Sequence, residues 1–457
     1  MNKRKVFSAN NLKLISNSNI KFHTANGIDK MSYDTFKKQE EYILNKINKK
    51  VHDDSYRFIK YKEKLLIKDR YSIPRCISIP TLTDRICLKA CHELLGYKFL
   101  EATKMPLPQE CIKKIKREKD EYDYFIKIDI SNFYGSINHY RLFSVLNSKI
   151  KDKVFLNLIK KAIETPTYPE NKKNVIGLPQ GLSISNILSH IYMLDFDRKY
   201  KENDKICFIR YVDDILILCK SSEKETLKND IFYELKRNYM LPTNDKKFKE
   251  GFLLKDTFNF LGYCTNINKS GDKYLLSVPE GKIHKMQNRL INKITKYNLT
   301  KNKKNISTPI EAFIFETNLM ITGAISKTIT IDSNKTRRYG WIFFYSQLDD
   351  LSVLYKLDDF LKNKITEYFS KDEQAYILKR IKSFSKAYHE SKFNLNNSKY
   401  FFRPDDYDTQ QQKDFLATVY NFNVQRDASP EMISNTFRKY VHKKVKEEHE
   451  DVIHGNS

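Results

Sequence analysis

The stretch CFIRYVDDILILCK, Cys207 to Lys220, places two adjacent carboxylates inside an otherwise apolar run. Apolar and β-branched residues on both sides predict two short strands, with Asp213 and Asp214 at the turn of a hairpin. A desolvated carboxylate is costly unless it is paired, hydrogen-bonded or bound to a metal, and neighbouring carboxylates repel each other. The pair therefore indicates either a solvated turn or a cation site, and a cation site needs a third acid.

A third acid ends another apolar run earlier in the chain. The segment IKIDISNFYGSI (126–137) is strand-like up to Asp129 and then becomes helix-like. Strands that are distant in sequence can be neighbours in one sheet. Between the two runs, GLPQGLSISN (177–186) predicts a tight loop at the start of a helix, with Ser183 or Ser185 as its cap. The glycines would let the backbone approach a nucleotide or a template closely.

The composition favours a polyanionic partner. The chain has 457 residues, which is enough for two or three domains. Lys and Arg number 82 against 56 Asp and Glu, a formal net charge of +26 that would attract nucleic acid. A coding bias towards Lys, Asn and Ile would account for part of this charge. Aromatic residues make up 13% of the chain, which excludes a disordered basic tail and offers surfaces on which bases can stack.

Cysteine usage and hydropathy bear on the compartment. The seven cysteines form no Cys-x-x-Cys pair and no Cys/His cluster with zinc spacing, so we expect buried thiols in a reducing compartment. The N-terminus is basic but lacks a continuous apolar segment, and no run approaches the roughly 18 apolar residues of a membrane span. The sequence therefore predicts a cytoplasmic protein with no membrane partner.

A long helix is predicted from about Gly281. Its apolar stripe consists of Ile283, Met286, Leu290 and Ile294. A basic stripe beside it consists of Lys282, Lys285, Arg289, Lys293 and Lys296. This stripe is either a solvated helix face or a surface that follows a phosphate backbone.

In their order along the chain, these blocks resemble the motifs of reverse transcriptases. IKIDISNFYGSI, GLPQGLSISN and YVDD (211–214) are similar to the first three palm motifs of that family. Four further blocks in the matching order are LPTNDKKFK (241–249) and FNFLGY (258–263) after them, and ANGIDKMSYDTF (25–36) and the fingers block KDRYSIPRCISIPTLTDRI (68–86) before them. Any one block is weak, but seven in order form a specific pattern.

The resemblance implies an α+β right-hand polymerase fold, with fingers, a palm of antiparallel sheet plus helices, and a helical thumb followed by a helical C-terminal region. The implied domains are 1–125 (N-terminal segment and fingers), 126–265 (palm, with a finger insertion at about 144–176), 266–365 (thumb) and 366–457 (helical C-terminal region and charged tail).

The resemblance also implies the site and its roles. Asp129, Asp213 and Asp214 would be the catalytic ligands of two Mg²⁺ ions, with Mn²⁺ as a substitute. The implied substrate-binding residues are Lys68 and Arg75 on the triphosphate, Tyr134 beneath the sugar where it favours dNTPs, Gln180 and Gly181 along the template-primer, and Lys247 as general acid or phosphate contact. Lys246 is a rival for the role of Lys247, and packing in the palm core is an alternative role for Tyr134.

The kind of reverse transcriptase is a separate question. The chain has no integrase-like or HNH-like Cys/His segment, and Ser185-Asn186 stands where retron enzymes usually have Ser-Pro. Segments 337–361 and 383–404 look like parts of bacterial defence-associated reverse transcriptases of the unknown-group and abortive-infection kinds. This resemblance implies a stand-alone anti-phage enzyme that uses dNTPs to copy a bound noncoding RNA into DNA, with about 281–440 as the RNA-holding surface.

Three alternatives remain open at this point. The first is an untemplated or protein-primed DNA polymerase of abortive-infection type. The second is an enzyme derived from a retron or a group II intron, and the third is a non-catalytic RNA-binding scaffold. No apolar stripe stands out as an interface, so the oligomeric state is left open.

Overall fold

The computed structural model describes residues 2–20, 25–67, 74–268, 270–301, 309–327, 336–422 and 428–453. The chain divides into two compact units. Unit 1 comprises Met1–Pro106 and Asp120–Phe252, and unit 2 comprises Leu107–Lys119 and Leu253–Ser457.

The strands are short and are numbered in chain order. They are β1 (Lys62–Leu66), β2 (Arg75–Ile79), β3 (Tyr124–Asp129), β4 (Cys207–Tyr211), β5 (Asp214–Cys219), β6 (Lys249–Phe252), β7 (Asn259–Phe260), β8 (Tyr263–Ile267), β9 (Tyr274–Ser277), β10 (Ala324–Ser326) and β11 (Arg337–Tyr339).

Helices make up most of the remaining regular structure. They are α1 (Lys3–Val6), α2 (Ala9–Ile15), α3 (Tyr33–Lys37), α4 (Glu40–His52), α5 (Leu82–Lys98), α6 (Leu100–Thr103), α7 (Pro108–Glu118), α8 (Phe133–Ser136), α9 (His139–Lys149), α10 (Lys153–Glu164), α11 (Ser185–Tyr192), α12 (Leu194–Lys201), α13 (Lys224–Tyr233), α14 (Glu280–Thr300), α15 (Ile310–Thr322), α16 (Trp341–Phe344), α17 (Ser352–Tyr368), α18 (Lys371–Leu378), α19 (Phe384–Phe393), α20 (Thr409–Tyr420) and α21 (Pro430–Ile453).

A four-stranded antiparallel sheet organises unit 1. Its strand order is β4-β5-β3-β6, and the predicted hairpin is formed by β4 and β5. The side chains of β5 from Ile215 to Cys219 are fully buried, because the strand lies inside the sheet and packs on both faces. A separate antiparallel pair is formed by β1 and β2.

Helix α11 follows the predicted glycine loop and buries Ile187, Leu188 and Ile191 in the core of unit 1. The predicted serine cap is wrong. Ile184 occupies the N-cap position, and the Ser185 hydroxyl instead donates to the Pro179 carbonyl at 2.6 Å. The serine therefore closes the loop and leaves the helix end without a side-chain cap.

Unit 2 contains the three-stranded antiparallel sheet β7-β8-β9, the pair β10-β11 and a helical array. The predicted helix from Gly281 is confirmed as α14, whose Met286, Leu290 and Ile294 are buried. The predicted thumb (266–365) and C-terminal region (366–457) both lie in this unit, and the four-part division of the chain stays a prediction.

The basic stripe of α14 divides into two kinds of lysine and arginine. Arg289 and Lys293 pair with Glu448 of α21, and Lys293 also lies 3.1 Å from Glu316 of α15. Lys285 and Lys296 are exposed. Arg289 and Lys293 therefore hold helices together, which neither interpretation of the stripe included.

Within the described residues, no helix combines the length and the apolar character needed to cross a bilayer.

Candidate active site

The three predicted acids meet at one edge of the sheet in unit 1. Strand β3 ends at Asp129 and β5 begins at Asp214, and these two residues are direct partners in the antiparallel register. Asp213 precedes Asp214 in the hairpin turn, where its carbonyl accepts a hydrogen bond from the Ile130 amide at 3.1 Å. Strands that the sequence separates widely thus place three carboxylates at neighbouring backbone positions.

Burial and mutual repulsion set the charge state of these acids. Burial raises the pKa of Asp214 to about 6, and the charges of Asp213 and Asp129 add to the rise. Burial also raises the pKa of Asp213, with Asp129 contributing in the same direction and Lys247 and Arg75 opposing it. Asp129 is only 6% exposed. Asp213 and Asp214 are half-buried, so the turn that carries them is only partly solvated.

Lys247 is the lysine that reaches the acids. Its ammonium nitrogen lies 2.9 Å from Asp129 Oδ1, and the Asn244 side-chain amide lies 3.4 Å from Asp129 Oδ2. The Asn244 backbone amide also donates to the Asp129 carbonyl at 2.8 Å. Because the Lys247 side chain is 58% exposed, it can contact Asp129 and remain accessible to a ligand.

The other predicted substrate residues divide by position. Arg75 begins β2 and is exposed, and its charge acts on Asp213. Tyr134 lies in α8 just after Asp129, with its hydroxyl 3.4 Å from Asn186 Oδ1, and burial raises its pKa. Its ring also packs against the core of unit 1, and a place beneath the sugar stays a prediction. Lys68 lies outside the described residues.

Gln180 and Gly181 lie in a loop that joins two parts of unit 1. The Gln180 carbonyl accepts a hydrogen bond from the Ser78 amide of β2 at 2.7 Å. Gly181 has φ +104°, and a Cβ there would come within 2.7 Å of the Ser78 carbonyl oxygen. Glycine is required here because the loop backbone lies directly against β2. At the other end of the loop, the Leu178 amide donates to the Tyr134 carbonyl at 2.7 Å.

Arg210 was not among the predicted site residues. It lies in β4, is 6% exposed, and its guanidinium donates to the Val212 carbonyl at 2.7 Å, immediately before Asp213. A single cation inside the apolar run CFIRYV was the signal that could have identified it, because a buried charge needs a partner.

The donor set fits a divalent cation. Carboxylate oxygens are the ligands that Mg²⁺ prefers, and a cation would offset the burial and the mutual repulsion that raise the pKa values of Asp213 and Asp214. Within the described residues, however, no three His, Cys, Asp or Glu side chains are already arranged around a common metal position. In this arrangement, Lys247 and Asn244 occupy the carboxylate of Asp129.

The four-stranded antiparallel sheet, with three acids at the end of its central strands, is the arrangement that the resemblance implies for a polymerase palm. Residues 43–265 match the family model described as reverse transcriptase (RNA-dependent DNA polymerase). The chain therefore contains a reverse transcriptase domain. The predicted fold class is confirmed for this domain.

Curated relatives match shorter stretches. A 166-residue segment, 34% of this chain, is 30% identical to the group II intron-encoded protein LtrA of Lactococcus lactis and covers 28% of that protein. An 84-residue segment, 18% of this chain, is 40% identical to an uncharacterized 91 kDa protein in a cob intron of Schizosaccharomyces pombe and covers 10% of it. The chain thus spans less than a third of the length of these relatives.

Solved telomerase structures are also similar to this chain. The Candida albicans telomerase in complex with a fragment of telomeric RNA aligns over 92% of this chain and 68% of its own, with 15% identity and a TM-score of 0.41. The Candida tropicalis telomerase in the corresponding complex aligns over 80% and 67%, with 12% identity and a TM-score of 0.38.

Proposed function

We propose that the protein is an RNA-directed DNA polymerase that works by two-metal nucleotidyl transfer. The observation that carries this proposal is the convergence of Asp129, Asp213 and Asp214 at one sheet edge, inside the matched reverse transcriptase domain. Three partly desolvated carboxylates have no evident structural role, because burying them without a cation costs stability.

The three acids would hold two Mg²⁺ ions, or Mn²⁺ in their place. Bound there, the ions would supply the charge that favours a primer 3′-hydroxylate and stabilises the departing pyrophosphate. The chain's own residues position the reactants, which is most of what phosphoryl transfer requires. Arg75 would bind triphosphate oxygens through two parallel hydrogen bonds, and Lys68 would bind them as a point charge.

Lys247 would release Asp129 when cations bind and then serve the triphosphate. Its exposed ammonium is close enough to the acids to donate a proton to the leaving pyrophosphate or to contact a phosphate oxygen.

Tyr134 would lie beneath the incoming sugar and exclude a 2′-hydroxyl, which favours dNTPs over ribonucleotides. Gln180 and Gly181 would line the template-primer side, where the loop backbone is held against β2. The close packing of this loop supports a fixed path for the template.

The finer part of the proposal concerns the template and the purpose. The protein would act in the cytoplasm, bind a noncoding RNA encoded beside it and copy that RNA into DNA during anti-phage defence. The resemblance of segments 337–361 and 383–404 to defence-associated reverse transcriptases supports this role. The net charge of +26 supports the RNA partner, for which the region 281–440 is the candidate surface.

An intron-derived enzyme is the second candidate. The similarity to the group II intron-encoded protein LtrA over 166 residues favours it for the reverse transcriptase domain. The two candidates differ in the RNA that the protein binds, since an intron-derived enzyme would carry intron sequence. A cheap first test is inspection of the flanking DNA for an intron or for a noncoding RNA with inverted repeats.

Sequencing of nucleic acid that co-purifies from cells tests the proposal, with Asp213→Ala/Asp214→Ala as the comparison. Templated synthesis predicts DNA complementary to one abundant bound RNA in the wild type alone. DNA of biased composition that matches no RNA, and above all DNA attached to protein, would support untemplated or protein-primed synthesis instead. Identical nucleic acid from both proteins would contradict catalysis and leave an RNA-binding scaffold.

A further inference from the structure

Arg210 makes a set of contacts that a structural ion pair alone would not need. The guanidinium binds Asp197 of α12 through two parallel hydrogen bonds, from Nε to Oδ1 at 2.6 Å and from Nη2 to Oδ2 at 2.5 Å. Its remaining nitrogen, Nη1, donates to the Val212 carbonyl at 2.7 Å. With 2% of its side chain exposed, Arg210 is held away from water while it contacts the catalytic turn.

The residue that Arg210 holds is in an unfavourable conformation. Val212 has φ +57°, in the left-handed region that β-branched residues avoid. Such a conformation persists only where the surroundings fix it, and it is found most often at functional sites. Here the Val212 carbonyl is fixed by Arg210, and the Asp213 carbonyl is fixed by the Ile130 amide. The carbonyl that precedes Asp213 and the carbonyl of Asp213 itself are therefore both held by hydrogen bonds.

Among the groups that contact the Arg210 guanidinium, Asp197 carries the balancing negative charge and His190 is neutral. His190 of α11 lies 3.4 Å from Arg210 Nη2 through its Nδ1 atom, which accepts because arginine only donates. Burial and the Arg210 charge lower the pKa of His190 to about 3, so the imidazole is neutral. Asp197 is then the group that balances the arginine. Apolar residues of similar volume often replace a buried ion pair without loss of stability, so stability alone is a weak reason for this pair.

We propose that Arg210, fixed by Asp197, is a positioning residue that holds the Val212–Asp213 turn so that Asp213 and Asp214 face Asp129. The planar guanidinium fork is suited to this task, because it can bind one carboxylate with two nitrogens and still direct a third donor at a carbonyl. This inference rests on the proposed polymerase function. It assigns to Arg210 of β4 and Asp197 of α12 the task of setting the geometry of the acids without contacting substrate.

The test compares wild type with Arg210→Met/Asp197→Leu, which removes the charge pair and the hydrogen bond to Val212 without leaving a buried charge unpaired. The matched control is Lys161→Met/Asp54→Asn, which removes another ion pair of unit 1, at 2.5 Å between α10 and the chain after α4. The measurements are Mn²⁺ affinity by electron paramagnetic resonance, kcat and KM for dNTP on an RNA template with a DNA primer, and thermal unfolding.

If Arg210 positions the turn, the Arg210/Asp197 double variant should remain folded and bind Mn²⁺ about tenfold to a hundredfold more weakly, as for other groups that orient metal ligands. Its kcat should fall by about a hundredfold, the effect of a small misplacement of reacting groups, while KM for dNTP changes little. The control should keep wild-type Mn²⁺ affinity and kcat. A folded double variant with wild-type Mn²⁺ affinity and kcat would overturn the inference.

If the double variant does not fold, Arg210→Lys decides. It keeps a cation for Asp197 but cannot bind that carboxylate twice and also reach Val212, so weaker Mn²⁺ binding and lower kcat are expected. Wild-type values for this variant would overturn the inference. A wild-type protein that incorporates no dNTP would contradict the proposed function instead, and Mn²⁺ affinity would still decide the role of Arg210.

Discussion

At the scale of single residues, the contact between a lysine and Asp129 can be tested. Lys247 and Lys246 are neighbours in sequence, yet Lys247 is the one whose ammonium lies 2.9 Å from Asp129. Both lysines lie in the turn that precedes β6, so the contact with Asp129 distinguishes them.

Replacing Lys247 with Ala should reduce the rate of dNTP incorporation by about a hundredfold, since a positioned general acid contributes about 10²- to 10⁴-fold. The control is Lys246→Ala, which removes the same charge one residue away. Its rate should stay within about threefold of wild type, because Lys246 is not the positioned general acid. Steady-state incorporation on an RNA template measures both. Equal losses in the two variants would mean that overall charge, and not the contact with Asp129, is responsible.

His190 gives a pH dependence of stability with a definite sign. Its pKa in the folded protein is lowered to about 3 by burial and by Arg210, below the ordinary value near 6.5. As pH falls through 6.5, the unfolded chain takes up a proton that the folded protein refuses, so stability falls with pH.

The loss attributable to His190 should be about 1.4 kcal/mol between about pH 7.5 and 5.5, for one proton bound only by the unfolded chain. Urea unfolding of the full chain at both pH values measures this loss of stability, and His190→Asn should show a smaller pH dependence than wild type. The same pH dependence in both proteins would show that His190 titrates normally in the folded state.

At the scale of elements, the loop 177–181 and strand β2 are packed too closely for a side chain at Gly181. Gly181→Ala should destabilise unit 1 by about 3 kcal/mol, because it adds both a clash with the Ser78 carbonyl and a strained φ. Gly96→Ala is the control, since Gly96 lies in α5 with only the Thr103 methyl and the Ile187 side chain near its missing Cβ. That change should be neutral or stabilising by about 1 kcal/mol.

Thermal unfolding of unit 1 compares the two variants. A Gly181→Ala protein as stable as Gly96→Ala would show that the loop can move away from β2, which would remove the argument for a fixed template path.

The sequence predicted those elements that have a strong local pattern. The β4–β5 hairpin and helix α14 were predictable because an apolar run or a helical spacing marks each of them. The three acids were predictable because a carboxylate at the end of an apolar strand is conspicuous. The positioning role of Arg210 was not predictable. It depends on the packing of β4 against α12, which brings Asp197 to the guanidinium, and on the positive φ of Val212. The serine cap of α11 was wrong because the Ser185 hydroxyl donates to the Pro179 carbonyl inside the loop, a contact that local spacing does not show.

On the scale of the whole chain, the formal charge of +26 predicts strong and salt-sensitive RNA binding. The affinity for single-stranded RNA should fall at least about tenfold between about 50 and about 200 mM salt, because each phosphate contact releases bound counterions. Fluorescence anisotropy with a labelled RNA measures this. Asp213→Ala/Asp214→Ala should show the same salt slope, since these side chains carry no positive charge that could neutralise an RNA phosphate.

A slope near zero would mean that most of the positive charge is held in internal ion pairs, as it is at Arg289 and Lys293 of α14.

The division into two units was less accessible from the sequence than the site. Residues Leu107–Lys119 belong to unit 2 although the chain reaches them before most of unit 1. Helix α7 shows a strongly amphipathic pattern, but such a pattern does not say which apolar surface the helix will cover.

The most direct test of the central claim is incorporation of dNTPs on a defined RNA template with a DNA primer in the presence of Mg²⁺. Wild type is compared with Asp213→Asn, which removes one charge and keeps the shape of the side chain. The account predicts template-dependent DNA synthesis by the wild type and a loss of about a thousandfold in the variant, which corresponds to about 4 kcal/mol of transition-state stabilisation. Thermal unfolding should show that the variant is at least as stable as wild type, because a buried repulsive charge has been removed. Equal synthesis by the two folded proteins would contradict the account.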